Sequence, residues 1–493
     1  MGSELQRGYD VAEIDRREAP PAAEDLFLDY VAENPACVLR SSYSALDQPV
    51  EIAQYPLQSW PAFIDSEESQ AHRRAVAGLT ELVLGLPQSL LQGDPAALAD
   101  VFRLDSSEAA VIDALLKLPG QRESLLARGD FIEDSSGTMQ CLELNVSSNL
   151  GGWQNVGWAE LYRRIPVLQD FFGRAGTTWN CVNTLGELFE HLIERHRHRC
   201  RGQGEELGDL HLAFLAPSSN AGRRDWFRVA QEELVGLVAE GHPDLASPRV
   251  SGGTLEDLEE RGDHLYLGPH RVHVVVEAYS GRLDRRLFSS AMAGRTLVVN
   301  GPVDRVLTNK KCLALLSEQA DPGGALDEAA RKLVTDHIPW TRIVHDGYVD
   351  YCGERGFLPE VLEQHRERFV LKPALGMRGE GVCFGAATDE GRWRDLVDDA
   401  VDDEGAGWVV QELVPGRPRT FQLGEEGSAL HDVVWGFFQF GRRYGGGFLR
   451  MLPRGGYGVV NAARGATESP IFVAAADAET RLGSPTVITR TAP

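Results

Sequence analysis

The chain has 493 residues, 43% apolar and 25% charged, with a formal net charge of −24. That length leaves room for about three domains with sizeable cores. The acidity excludes nucleic acid and anionic membranes as partners, because both demand a basic face, but it allows a nucleotide held in a local basic pocket.

Seven cysteines, Cys37, Cys141, Cys181, Cys200, Cys312, Cys352 and Cys383, form no CxxC pair, which fits free thiols in a reducing cytoplasm. No apolar run approaches the ~18 residues of a membrane span, and the N-terminus does not read as a signal peptide. A cytoplasmic location is expected.

Residues 1–125 read as an acidic, mostly helical region. Ala71 to Leu84 carries apolar residues at helical spacing, and Ser106 to Leu116 opens like a capped helix. Pro20, Pro21 and Pro87 mark loops. Residues 126–205 begin with a hairpin, because Asp134-Ser-Ser-Gly137 is turn chemistry between two strand-like runs. On its second strand Glu143 and Asn145 point the same way, and Leu142 and Leu144 point to the core. Asp130 on the facing strand lies beside them. Two carboxylates and an amide oxygen on one face suit Mg²⁺, although the pattern alone also fits an ordinary solvated strand face.

Gly151 and Gly152 allow a turn, and Trp158 to Phe172 reads as a helix. Glu187 to Arg199 continues helically with His191, His196 and His198, and Cys200 follows. Those spacings fit no closed zinc pattern, so a basic solvated face is expected.

Residues 206–305 read as an inserted α/β subdomain. A buried strand at Leu210 to Ala216, a loop at Pro217 to Gly222 and a helix from Asp225 to Ala239 come first. Strands at Val272 to Glu277 and Thr296 to Asn300 complete the pattern of a parallel sheet. There is no GxGxxG, so no dinucleotide is implied.

In residues 306–493 a helix starts near Lys310 and Lys311. Phe369-Val-Leu-Lys-Pro373 is a strand that ends in lysine, ahead of a loop with Gly376, Gly379 and Gly381. Ammonium charge and approachable backbone N–H groups suit phosphate, but GxxxxGK[ST] is absent, so this is no Walker loop. Trp408 to Val414 is a strand whose main chain can meet an adenine edge. Asp432 to Phe440 and Tyr444 to Leu452 read as paired strands, with Arg450 and Arg454 near the end. Thr467 to Pro493 has no clear assignment.

Together these parts resemble the ATP-grasp superfamily, in the circularly permuted branch containing glutathionylspermidine synthetase and eukaryotic-type glutathione synthetase. There, as here, the metal-binding strands precede the nucleotide lysines. Arg128-Gly-Asp130 followed by Glu143-Leu-Asn145 is similar to the Arg-x-Asp and Glu-x-Asn of the first. Glu143 to Gly152 is similar to the Glu-x-Asn…Gly-Gly run of the second. Pro302 to Lys310, Phe369 to Pro373 and Val410 to Val414 resemble the approach to the first lysine, the second lysine and the adenine hinge.

The resemblance implies an α/β (α+β) ATP-grasp fold with mixed antiparallel sheets, an inserted small α/β subdomain and a helical N-terminal region. It implies a ligase using ATP and Mg²⁺, the metal held by Asp130, Glu143 and Asn145, with Arg128 facing the transferring phosphoryl group. Lys310 and Lys372 would grip phosphates under a lid of Gly376, Arg378, Gly379, Glu380 and Gly381. Gln411, Glu412, Leu413 and Val414 would meet adenine. Ser147, Ser148, Asn149, Gln154, Arg450 and Arg454 are candidates for the acid substrate, with surface solvation the alternative for the two arginines.

The lid departs from both relatives, which place Arg-Glu directly after a shorter lead, so Arg378 and Glu380 compete for that role. No cysteine amidase-type domain precedes the hairpin, so only synthetase chemistry is implied. The partners would be a small-molecule or peptide carboxylate and an amine, and the chain can form a homo-oligomer. Phosphoryl transfer to an alcohol or histidine, and a non-catalytic nucleotide-binding protein, are the alternatives.

Overall fold

Aspartate and asparagine side chains set half of the α-helix starts among the described residues. Asp65, Asp94, Asp105, Asn183, Asp284, Asp327 and Asp389 each accept a backbone N–H from the first turn that follows. Each such cap satisfies an amide the helix leaves orphaned, worth about 1 kcal/mol. The computed structural model describes residues 22–34, 55–152, 157–174, 178–216, 224–278, 281, 283–423, 427–455 and 458–475. The architecture is mixed α/β, with helices near the N-terminus, antiparallel sheets and an inserted parallel unit.

Among the described residues the largest sheet has eight strands. Its centre is the long pair Ser428–Phe440 and Arg443–Pro453, flanked by the early hairpin Leu126–Glu133 and Met139–Asn145. Thr467–Ala474 closes the other side, antiparallel to Arg443–Pro453 and parallel to Ala62–Ile64. Helix Ser66–Ser89 packs on this sheet, with His72 set between the rings of Trp435 and Phe437 at 5.2 and 4.8 Å.

The inserted unit is a four-stranded parallel sheet in the order Leu297–Asn300, Val274–Glu277, Leu210–Leu215, Pro248–Gly253. A third sheet carries Thr341–Ile343, Trp408–Glu412, Phe369–Pro373 and Cys383–Phe384, all antiparallel. Its apolar core, from Val344 to Val410, is separate from the continuous core shared by the other elements.

Several sequence expectations change. Trp158 to Phe172 is two helices, Trp158–Arg163 and Pro166–Arg174, because Pro166 cannot continue the first. Pro87 lies inside helix Ser66–Ser89 rather than in a loop, where it removes one bond of the helical ladder. His191 and His196 are buried, not solvated: helix Thr184–Gln203 is covered on that face by the large sheet and the inserted unit. Burial lowers the pKa of His191 to about 4, and Ser124 O lies 3.2 Å from its Nε2. The tail contributes the strand Thr467–Ala474. Pro217 to Gly222, Gln154 and residues 476–493 lie outside the described residues.

The six cysteines in the described residues are free thiols. Among those residues no helix is long and apolar enough to cross a membrane.

Buried Arg419 ties the N-terminal helices to the large sheet. It reaches Glu133 at 2.9 Å, Glu24 at 3.0 Å and Glu68 at 2.5 Å, and stacks 4.8 Å over Trp435. At the turn joining the two long strands, Gly441 has φ +52° and a Cβ there would sit 2.1 Å from the Glu123 carbonyl oxygen. Gly441→Ala is expected to lower stability by about 1–3 kcal/mol, since backbone cannot yield as a side chain does. Urea midpoints of the two proteins check it.

Candidate functional site: a lysine and carboxylate cleft

The hairpin is not a regular ladder. Asp130 pairs with Glu143 but Phe131 pairs with Cys141, so Leu142 is an extra, bulged residue. It is therefore half-exposed rather than in the core as its alternation suggests, while Cys141 and Leu144 are buried. A bulge re-aims the groups around it. Here it leaves the Leu142 carbonyl to accept from Lys372 Nζ at 3.2 Å, and it turns Glu143 towards the same space.

Lys372 ends its strand and is buried. Its ammonium also donates to Gln411 Oε1 at 2.5 Å, and Gln411 in turn donates to Thr341 Oγ1 at 3.1 Å. Burial lowers the Lys372 pKa to about 8, with Lys310 adding to the fall and Glu143 opposing it. Lys310 stands at the start of helix Lys311–Gln319. Its Nζ lies 3.4 Å from Glu143 Oε2 and donates to Gly376 O at 2.9 Å. Lys311 leaves this cleft and donates to Val101 O. Asn145 Nδ2 donates to Glu143 Oε1 at 3.2 Å. The hairpin carboxylate, its neighbouring amide and two lysines over 160 residues downstream thus share one cleft.

Beside it, Asp130 is gripped by two guanidiniums. Arg128 donates to both carboxylate oxygens at 2.8 Å, and Arg450 Nη2 lies 2.8 Å from Oδ1. Burial disfavours its charge, but Arg128 and Arg450 hold the carboxyl well below the usual range. Both guanidiniums lie over the Phe448 ring, at 5.7 and 5.5 Å. That ring fits because a Cβ on Gly152 or Gly436 would come within 2.6 or 2.8 Å of it.

The remaining candidates divide. Ser147 Oγ donates to half-buried Asp304 at 2.7 Å and accepts from Asn149 N at 3.0 Å; Ser148 Oγ donates to Val299 O. Asn149 approaches Met377 of the glycine loop, Nδ2 to Sδ 3.7 Å. In that loop Arg378, Gly379 and Gly381 have φ of +57°, +70° and +71°, and the side chains of Arg378 and Glu380 are exposed. Arg464 donates to the Gly379 carbonyl at 2.9 Å.

On the hinge strand the N–H groups of Glu412 and Leu413 donate to Trp340 O and Arg368 O, and the Glu412 carboxylate pairs with Arg368 and Tyr351. Arg454 is not brought to the cluster. It is exposed at the far end of its strand, 3.7 Å from Asp432.

Sequence reading missed Glu468, the Gln411 side chain as a partner of Lys372, and half-buried Asp304. The apolar run Ile471-Phe-Val473 was the signal for the strand that carries Glu468 opposite Arg450. Burial pushes Glu468 up to about 7 against the pull of Arg450 and Arg128. Its folded pKa exceeds its unfolded one, so its contribution is present below pH ~4.5 and lost as pH rises through about 7. Glu468→Gln should therefore lose less stability than the parent between pH 5 and 8, by roughly 2–3 kcal/mol. Denaturation at both pH values tests this.

Among the described residues no group of three histidine, cysteine, aspartate or glutamate side chains is poised to hold a metal ion. Glu143 and Asn145 offer adjacent hard oxygens that fit Mg²⁺. Asp130 takes two of its three arginine contacts on Oδ1 and one on Oδ2, so it would join them through the remaining lone pair of Oδ2.

No protein-family model matches the chain, and no curated protein matches its sequence. Among solved structures it is similar to the "Putative gamma-glutamylcysteine synthetase" of Methylobacillus flagellatus KT, at 12% identity and a TM-score of 0.38, over 80% of this chain and 88% of that one. A likeness that distant carries no argument about fold or activity, so the reading below rests on the residues themselves.

Proposed function

We propose that this protein is an ATP-dependent carboxylate–amine ligase of the ATP-grasp type, forming an amide through an acyl phosphate and releasing ADP and phosphate. The observation that carries the reading is the meeting of Lys372 with the Leu142 carbonyl and of Lys310 with Glu143. Opposite charges from distant segments line one cleft beside a glycine-rich loop, as a triphosphate needs.

A carboxylate resists attack by an amine until one oxygen becomes a phosphate leaving group. Moving a phosphoryl group between anions then demands fixed positive charge. Lys310 and Lys372 supply it on one side, and Arg128 with Arg450 on the other, where the acid substrate would sit near Ser147 to Asn149. Mg²⁺ held by Glu143 and Asn145 would neutralise phosphate charge. The loop Gly376 to Gly381, already touching Asn149 and Arg464, would exclude water from the acyl phosphate. The carboxylate oxygen bonds to the γ-phosphorus as ADP leaves. The amine nitrogen then bonds to the acyl carbon, loses a proton and expels phosphate. With Glu412 and Leu413 N–H groups engaged internally, adenine would use the Leu413 carbonyl and the Val414 amide.

The test is ADP release across carboxylates crossed with amines, with product masses and hydroxylamine trapping. A hydroxamate supports the acyl phosphate. A stable phosphoester replaces the reading with phosphotransfer, and binding without turnover replaces it with a nucleotide binder.

A further inference from the structure

A second cleft, with a cavity of about 410 Å³, opens at the edge of the inserted sheet where strands Leu210–Leu215 and Pro248–Gly253 begin. The opposite edge of the sheet faces the large sheet, since Asn300 there exchanges hydrogen bonds of 3.0 and 3.1 Å with the Leu126 backbone. A six-residue strand separates the two edges, about 20 Å. The second cleft is therefore distinct from the lysine cleft.

Its wall is built rather than incidental. His211 is locked by Arg271 O at 3.1 Å and Ser251 Oγ at 2.5 Å. The His211 N–H donates to His273 Nδ1 at 3.0 Å, which leaves the His273 proton on Nε2 as a donor. Arg199, only 7% exposed, and Arg271 share one carboxylate, Glu205, at 2.9 and 3.5 Å, so that trio keeps a net positive charge. Both arginines have a buried Nε with no acceptor among the described residues, which is costly unless a ligand supplies one. Arg249 and His270 stand exposed at the mouth, as do the carboxylates Glu206 and Asp209, so the excess of positive charge lies inside at Arg199 and Arg271 rather than at the rim.

A metal cation fits badly here. The Arg199 guanidinium lies 3.2 Å from Cys200 Sγ, and no set of three metal ligands is present among the described residues. The C-terminal turn of helix Thr184–Gln203 would repel an anion by only about 0.3–1 kcal/mol, which the guanidiniums of Arg199 and half-buried Arg271 outweigh. Burial, aided by the arginines, lowers His196 to about 3 and His273 to about 4, so the imidazoles act as neutral hydrogen-bonding groups.

We propose that this cleft binds a small oxyanion-bearing metabolite, a phosphate ester or a polycarboxylate, through Arg199, Arg271 and His273, with Arg249 at the entrance. The volume suits a whole small molecule rather than a lone ion.

Calorimetric titration of the full chain with inorganic pyrophosphate and with citrate tests it, in the parent and in Lys372→Ala, which silences phosphate binding in the other cleft. Saturable binding that survives Lys372→Ala is expected, weakened about tenfold or more by Arg271→Gln and a few-fold by Arg249→Gln. Tighter pyrophosphate than citrate assigns a phosphate ester; the reverse assigns a polycarboxylate. Arg249→Gln touches only the rim, so it remains informative if Arg271→Gln unfolds the chain. The proposal is overturned if neither anion saturates by about 10 mM, if binding vanishes in Lys372→Ala, or if Arg249→Gln and a folded Arg271→Gln bind like the parent.

Discussion

Lys372→Ala should lower acid-dependent ADP release by about 10²–10³-fold while the chain stays folded. The change removes a buried ammonium fixed between Gln411 and the bulged Leu142 carbonyl, from the place where a phosphate oxygen would take over those contacts. Lys372→Arg is no safe substitute, because a planar fork does not replace a point charge in so enclosed a position. Glu143→Gln keeps the shape, removes the charge facing Lys310 and should be comparably inactive. Steady-state ADP release, read beside circular dichroism of both variants, decides the matter. Full turnover in both would remove the ligase reading.

Arg419→Leu should cost about 3–5 kcal/mol of stability, the largest single-site loss we expect. The arginine is 5% exposed and is the shared partner of Glu133, Glu68 and Glu24. Deleting it leaves Glu133, itself 5% exposed, with only the exposed Arg417 as a cationic partner, at 2.9 Å. Burial already pushes Glu68 up to about 7 with Arg419 in place. Without the arginine Glu68 ionises still less readily, so the deficit should widen from pH 5 to pH 8 as it is forced to charge. Denaturant titrations at both pH values check the size and the sign. Adding Glu133→Leu should restore part of the loss, because the buried carboxylate left with Arg417 alone goes with it. An Arg419→Leu protein as stable as the parent would mean the carboxylates had found water or protonated without penalty.

The sequence by itself determined the local pieces. The Asp134-Ser-Ser-Gly137 turn, the helix over Ser106–Leu116, the parallel strands of the insert and the pairing of the run from Asp432 to Phe440 with that from Tyr444 to Leu452 all follow from turn chemistry and periodicity, which act over a few residues. Only the tertiary structure decided what faces what. The bulge at Leu142 exists only in the register against Leu126–Glu133, and no residue in Cys141 to Asn145 announces it. His191 and His196 look like a solvated stripe until the large sheet and the insert cover them. Arg450 and Arg454 are indistinguishable as letters, yet one closes on Asp130 and the other stays at a strand end, because residues four apart on a strand share a face but stand about 13 Å apart. Glu468 gains its place from a strand that returns across the whole molecule. Short-range chemistry is written in adjacent residues, whereas burial and charge pairing depend on which distant surfaces the folded chain brings together.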